Sequence, residues 1–211
     1  MSKKTIKQTL SNNRPFLTGL LGFIVAALLI LGIRFATYQP EEQVHYHANF
    51  AVYINGQREQ FASSAYYVEL EESCAEQQQI SPYERAHMHD SVNDVVHVED
   101  EAVTWGHFFQ NIGWVMDTKF IKTHDQLLMA GGQNKISYIL NGKRLDGVNR
   151  LVIASEDKLL VDYGGTSQSD LDKYYASISS TARKYNTTPD PASCGAGHTE
   201  ATVSDRLRNV F

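Results

Sequence analysis

Two His-x-His pairs, His45-Tyr46-His47 and His87-Met88-His89, concentrate the chemistry of this chain, and His97-Val98-Glu99 follows the second pair closely. Six of the eight histidines fall between His45 and His107. On a β-strand, residues i and i+2 point to the same face. Each pair therefore offers two imidazoles to one point in space, a donor set that suits copper, zinc, nickel or iron. Copper or zinc is the expected ion. The candidate ligands are His45, His47, His87, His89 and His97, with Glu99 as a carboxylate candidate. Five imidazoles and a carboxylate exceed one four-coordinate site, so either two ions bind or some histidines support the others. The competing reading is a set of hydrogen-bonded or pH-responsive histidines. Met88 alternates with its flanking histidines and should face the other way; no thiolate or methionine cluster marks a soft copper(I) site.

These side chains must be positioned by strands. Val44 to Ile54 alternates, with His45, His47, Asn49, Ala51 and Tyr53 on one face and Val44, Tyr46, Ala48, Phe50, Val52 and Ile54 on the other. Asn55-Gly56 is a strong hairpin signal, and Gln57 to Phe61 is the expected return strand. His87 to Glu99 reads as a second hairpin turning at Ser91 to Asp94. An odd-length loop would set His89 opposite His97 and His87 opposite Glu99, all on one side. An even-length loop would send the two sets to opposite faces. The metal reading thus makes a demand on this hairpin.

Elsewhere, Tyr66 to Leu70 suits a short strand and Cys74 to Pro82 a loop. Thr104 is an expected N-cap for a helix over 105–112, whose Trp105, Phe108, Phe109 and Ile112 form an apolar face and which Gly113 ends. Ile136 to Leu140, Leu151 to Ala154 and Lys158 to Tyr163 are strand candidates. Asn141-Gly142 repeats the turn signal of Asn55-Gly56, as an internal repeat or as two ordinary hairpins. A final helix is expected from Asp170 to Tyr185, capped by Ser169, with Leu171, Tyr174, Tyr175, Ile178, Ala182 and Tyr185 on one face. His107 belongs at the polar edge of the 105–112 helix and His124 on the surface. Asn186-Thr187-Thr188 matches a glycosylation sequon. Cys194-Gly-Ala-Gly-His198 has the form of half a metal site.

Phe16 to Ile33 is an 18-residue stretch without a charge, which as a helix spans roughly 27 Å, close to a hydrocarbon core. Lys3, Lys4, Lys7 and Arg14 precede it, and no acidic residue occurs before Glu41. The positive-inside rule places the N-terminus in the cytoplasm and the bulk of the chain outside. A cleaved signal peptide competes, but the stretch exceeds a usual h-region and lacks a clean cleavage site. The formal net charge is −5, leaving about −10 beyond the first 40 residues. Such a surface disfavours nucleic acid as a partner. The expected organisation is a basic tail (1–15), a transmembrane signal anchor (16–34), a linker (35–43), a histidine-rich ectodomain (44–165) and a C-terminal helix with tail (166–211). Cys74 and Cys194, the two cysteines, are candidates for one disulfide, and no Cys-x-x-Cys is present.

The segments His45-Tyr-His-Ala-Asn-Phe-Ala-Val-Tyr-Ile-Asn-Gly56, His87-Met-His-Asp90 with His97-Val98, Gly106-His-Phe-Phe109 and Tyr138-Ile-Leu-Asn-Gly-Lys143 resemble motifs of a group of uncharacterised bacterial and archaeal proteins with one N-terminal anchor. The likeness covers about residues 45 to 165 and brings no established activity. Some members carry a disulfide-isomerase label, which this chain, without Cys-x-x-Cys, does not support. The end of the segment also looks like the end of a β-grasp domain, an analogy of fold alone. The expected fold class is α+β: a mixed or antiparallel sheet with packed helices after one transmembrane helix. Three functions fit: a membrane-anchored metal-binding protein for storage, delivery or sensing; a cupin-like metalloenzyme, with Glu99 or Asp90 as acid or base; and a surface interaction module with structural or pH-responsive histidines.

Overall fold

Nine residues of one strand carry two different cores. β1 (Tyr46–Ile54) turns Ala48, Phe50 and Val52 to one face and Ala51 and Tyr53 to the other, and each set joins a separate buried cluster. The computed structural model that shows this describes residues 14–39, 44–68, 81–188 and 202–209. The chain forms two units, Gln43–Ala196 and the terminal segments Met1–Glu42 with Gly197–Phe211.

In the larger unit, β1 turns through Asn55-Gly56 into β2 (Gln57–Arg58), shorter than the return strand expected to Phe61. Both turn residues have positive φ (51° and 81°), as a type I′ turn requires. A single 3₁₀ turn over Ser64–Tyr66 follows, where a strand was expected from Tyr66; Leu70 and Cys74 lie outside the described residues, as do Cys194 and His198. β3 (Ala86–His87) and β4 (Val95–Val98) make the second hairpin. β5 (Val115–Met116), β6 (Phe120–Lys122) and β7 (Leu127–Met129) form a small antiparallel sheet. Their two- and three-residue runs carry too little alternation to be read from sequence. β8 (Lys135–Leu140) and β9 (Lys143–Leu145) are joined by Asn141-Gly142, again with positive φ, and β10 (Lys158–Gly164) closes the main sheet. The order is β3-β4-β1-β10-β8-β9, with β2 also on β1. β1 and β10 are parallel and all other pairs antiparallel. The result is a mixed α+β fold.

One sheet face packs against α2 (Trp105–Asn111) through Trp105, Phe108 and Phe109. Thr104 caps this helix reciprocally: its hydroxyl accepts from the His107 N–H, and His107 Nδ1 accepts from the Thr104 N–H. His107 is exposed and serves this cap. The other face is covered by α3 (Gln168–Ala176) and α4 (Ala182–Tyr185), with Leu171 and Ile178 on Ala51, Ile139 and Leu160, and Tyr174 stacked on Tyr53 at 3.9 Å.

Three sequence expectations are corrected here. The single helix over 170–185 is two helices, because the Ser177 to Thr181 hydroxyls find other partners: Ser177 Oγ donates to Tyr174 O, while Ser179 and Thr181 accept from Asn49 Nδ2. The cap of α3 is Ser167 rather than Ser169. Leu151 to Ala154 is not a strand. It touches residues 103–105 through one bridge, Thr104 to Val152, and then turns where the Ala154 N–H donates to Asp157 Oδ2.

In the smaller unit, α1 (Arg14–Thr37) is a 24-residue helix whose Phe16–Thr37 span is long and apolar enough to cross a membrane, with its large apolar side chains exposed. Arg206, on α5 (Val203–Arg208), donates to the Phe35 and Ala36 carbonyls at the last turn of α1, where a cation is favoured.

Gly106 explains how closely α2 docks. Its N–H donates to Asn149 O at 3.2 Å, and a Cβ there would lie 2.5 Å from the same oxygen. Gly106→Ala is expected to cost about 1–3 kcal/mol through backbone displacement, measured as a lower urea midpoint; an unchanged midpoint would show that the docking is looser than this geometry.

Candidate metal centre

The register of three strands lines up three histidines. His47 of β1 pairs with His97 of β4, and His97 pairs with His87 of β3. Paired residues share a face, so these rings form a row across the sheet. His45 and His89 extend it by the two-residue period, and Ala86, Met88, Val96 and Val98 go to the opposite core. The hairpin thus has the parity that puts all its histidines on one side, but its pairing is shifted by two residues: His87 faces His97 instead of Glu99. The loop between the paired histidines is therefore two residues longer than expected, and it turns at Asp90 and Ser91, both with positive φ (53° and 57°).

Four of the five rings are oriented alike. His45 Nδ1 lies 2.6 Å from Glu99 Oε1, His47 Nδ1 2.8 Å from Asn186 Oδ1, His87 Nδ1 2.8 Å from Glu84 O, and His89 Nδ1 2.9 Å from Asp90 Oδ2. A carbonyl or carboxylate oxygen only accepts, so His45, His47 and His87 carry a proton on Nδ1, while His89 Nδ1 approaches Asp90 Oδ2 without hydrogen-bond geometry. For His47 the amide orientation is fixed as well: Asn186 Oδ1 also accepts the His47 backbone N–H, and its Nδ2 donates to Ser155 Oγ. The Nε2 atoms turn inward. His47 Nε2 and His89 Nε2 lie 2.8 and 2.9 Å from His97 Nδ1, and His45 Nε2 and His87 Nε2 are buried without a hydrogen-bond partner.

The Nε2 atoms of His47 and His89 thus converge on one atom of His97, and an outer acceptor on a non-ligating Nδ1–H is the usual support of a metal-bound histidine. The ligand atoms of His45, His47 and His97 lie within 4.8 Å of one another, so this triad could hold a metal ion. A tetrahedral ion with bonds of about 2.0–2.1 Å needs donor atoms about 3.3 Å apart. The nitrogens in contact would therefore open by about half an ångström on binding.

The site is closed. His47 and His97 have no exposed surface, and His87, His89 and Glu99 are also buried. The Tyr185 ring sits over His47 and His97 at 5.5 and 5.9 Å. Burial lowers the pKa of His97 strongly, reinforced by the neighbouring histidines, and lowers that of His87 despite its bond to Glu84 O. Neutral imidazole is the metal-binding form.

Among the residues singled out from sequence, His45, His47, His87, His89 and His97 come together, while Glu99 holds His45 from outside. Asp90 does the same for His89, and His124 is an exposed ring stacked on Tyr66. Sequence reasoning missed Asn186, Tyr185 and the Glu84 carbonyl. The sequon drew attention to Asn186 for another reason; nothing local links it to a histidine 139 positions away.

The lowered pKa values set a pH dependence. Below the ordinary histidine pKa of about 6.5, the unfolded chain takes up protons that folded His87 and His97 resist, so stability falls as pH falls. In metal-free protein the loss approaches about 1.4 kcal/mol per pH unit for each histidine. Urea unfolding at pH 7.5 and 5.5 measures it; equal stabilities would mean that both rings protonate freely in place. Comparison with protein-family models, curated proteins and solved structures finds no match to this chain, so the site is read from its own geometry.

Proposed function

We propose that this chain is a membrane-anchored extracytoplasmic protein that binds a transition metal, copper or zinc, for storage, delivery or sensing. One observation carries the reading: His45, His47 and His97 bring their ligand atoms within 4.8 Å of one another, with outer acceptors on the Nδ1 of His45 and His47 and the His47 Nε2 facing His97 Nδ1. His45, His47, His89 and His97 are the proposed ligands. His87 is a fifth, its ring nearly parallel to that of His97 at 5.7 Å. Glu99 and Asp90 orient their histidines. The all-imidazole donor set favours zinc or copper(II) over softer ions.

The apolar length of α1 supports the anchor, and the basic residues before it support an inward N-terminus. The order β2-β1-β10-β8-β9, with its central strands parallel, supports a β-grasp-like arrangement, and the histidine spacing supports kinship with the anchored proteins it resembles. A cupin-like enzyme would need an open coordination position. The burial of His47 and His97 leaves no such position visible at those two rings, which favours binding over catalysis.

Full-length protein in detergent, titrated with zinc or copper(II) against a competing chelator, should bind at least one equivalent. His47→Ala/His97→Ala should lose this binding, and the exposed control His124→Ala should keep it. Equal uptake by wild type and the double variant would defeat the proposal. Nitrogen hyperfine splitting in the copper(II) spectrum would identify imidazole ligation. A reporter fused after residue 211 should be active only outside the cytoplasm; activity inside would reject the proposed orientation.

A further inference from the structure

We infer that Asn186 is a positioning residue of the histidine cluster, fixing the tautomer of His47 and coupling metal binding to the docking of the C-terminal segment. The inference rests on the metal-binding reading above and deepens it. Asn186 Oδ1 accepts from both the backbone N–H and the Nδ1–H of His47, each at 2.8 Å. Its Nδ2 donates to Ser155 Oγ at 2.9 Å, so the amide is held at both ends. With the Nδ1 proton so placed, the His47 Nε2 lone pair faces His97 Nδ1.

Asn186 ends α4, the element that carries Tyr185 over the same two rings. That element is fastened by Asn49, two residues beyond His47 on the same face of β1. Asn49 Nδ2 donates to Ser179 Oγ and Thr181 Oγ1, and its Oδ1 accepts the Ala182 N–H. One strand face therefore supplies both the ligands and the clamp for their cover. Whatever docking of the segment contributes to metal affinity, metal must return to docking, because coupling free energy is reciprocal.

Long-range proton–nitrogen correlation spectra of the metal-free full-length protein, recorded for wild type, Asn186→Leu and Asn186→Asp, test the tautomer directly. His47 should carry its proton on Nδ1 in wild type and Asn186→Asp, which keeps an acceptor oxygen. In Asn186→Leu the proton should redistribute toward Nε2. In zinc titrations Asn186→Leu should bind about 10- to 100-fold more weakly, with Asn186→Asp restoring affinity. Zinc should slow amide exchange over residues 182–188 in wild type, and less so in Asn186→Leu. A proton on Nε2 in wild type, or unchanged zinc affinity in a folded Asn186→Leu, overturns the positioning role and leaves the metal site standing. Failure of wild type to bind zinc or copper(II), with the tautomer as expected, overturns the metal reading and leaves the positioning of His47 intact.

Discussion

A neutral imidazole has one donor and one acceptor, and in this cluster the donors are already committed. Glu99, Asn186, the Glu84 carbonyl and Asp90 each face one Nδ1. Much else in the larger unit serves that constraint, since the four acceptors come from four different places: the end of β4, the end of α4, the approach to β3 and the turn after it. Moving any of these elements would release a ring to rotate. The Nε2 atoms of His47 and His89 consequently meet at His97 Nδ1, and those of His45 and His87 are buried beside them without a hydrogen-bond partner.

β1 makes this arrangement affordable to the fold. Its alternating faces send Ala48, Phe50 and Val52 into the larger core and His47, Asn49, Ala51 and Tyr53 into the second layer. Apolar contact at the Tyr53 end, where Tyr174 stacks, and polar contact at the His47 end fasten the same C-terminal segment. Burial beneath that segment and the sheet lowers the pKa of His87 and His97 and so keeps those two rings neutral.

The parts of this design that are local in sequence were legible there. His-x-His spacing fixed the shared face, Asn-Gly fixed two turns, and Thr104 marked the start of α2. The hairpin register was not legible: the sequence left odd and even loops open, and the structure takes an odd one with the loop two residues longer than the expected pairing of His89 with His97. Glu99 was recognised as part of the site, but its role beside His45 depends on β1 lying next to β4, which no periodicity reveals. Asn186 and Tyr185 were invisible as site residues because their contacts span the length of the unit. The break in the C-terminal helix belongs to the same class, since Ser179 and Thr181 bond to Asn49 on a distant strand.

Closure also bears on what a metal could do here. Catalytic sites keep a coordination position open to substrate, whereas sites saturated by protein ligands hold their ion. Up to five imidazoles surround this interior, and a tyrosine ring and an asparagine cover it. An ion within the proposed site would be shielded from solvent and would exchange only when its cover loosened. The clamp from Asn49 fastens the segment that carries Tyr185 over His47 and His97. Were an ion held there as proposed, its ligand geometry would belong to the strands and its access to the C-terminal helices, a division that would let affinity and exchange rate be tuned separately.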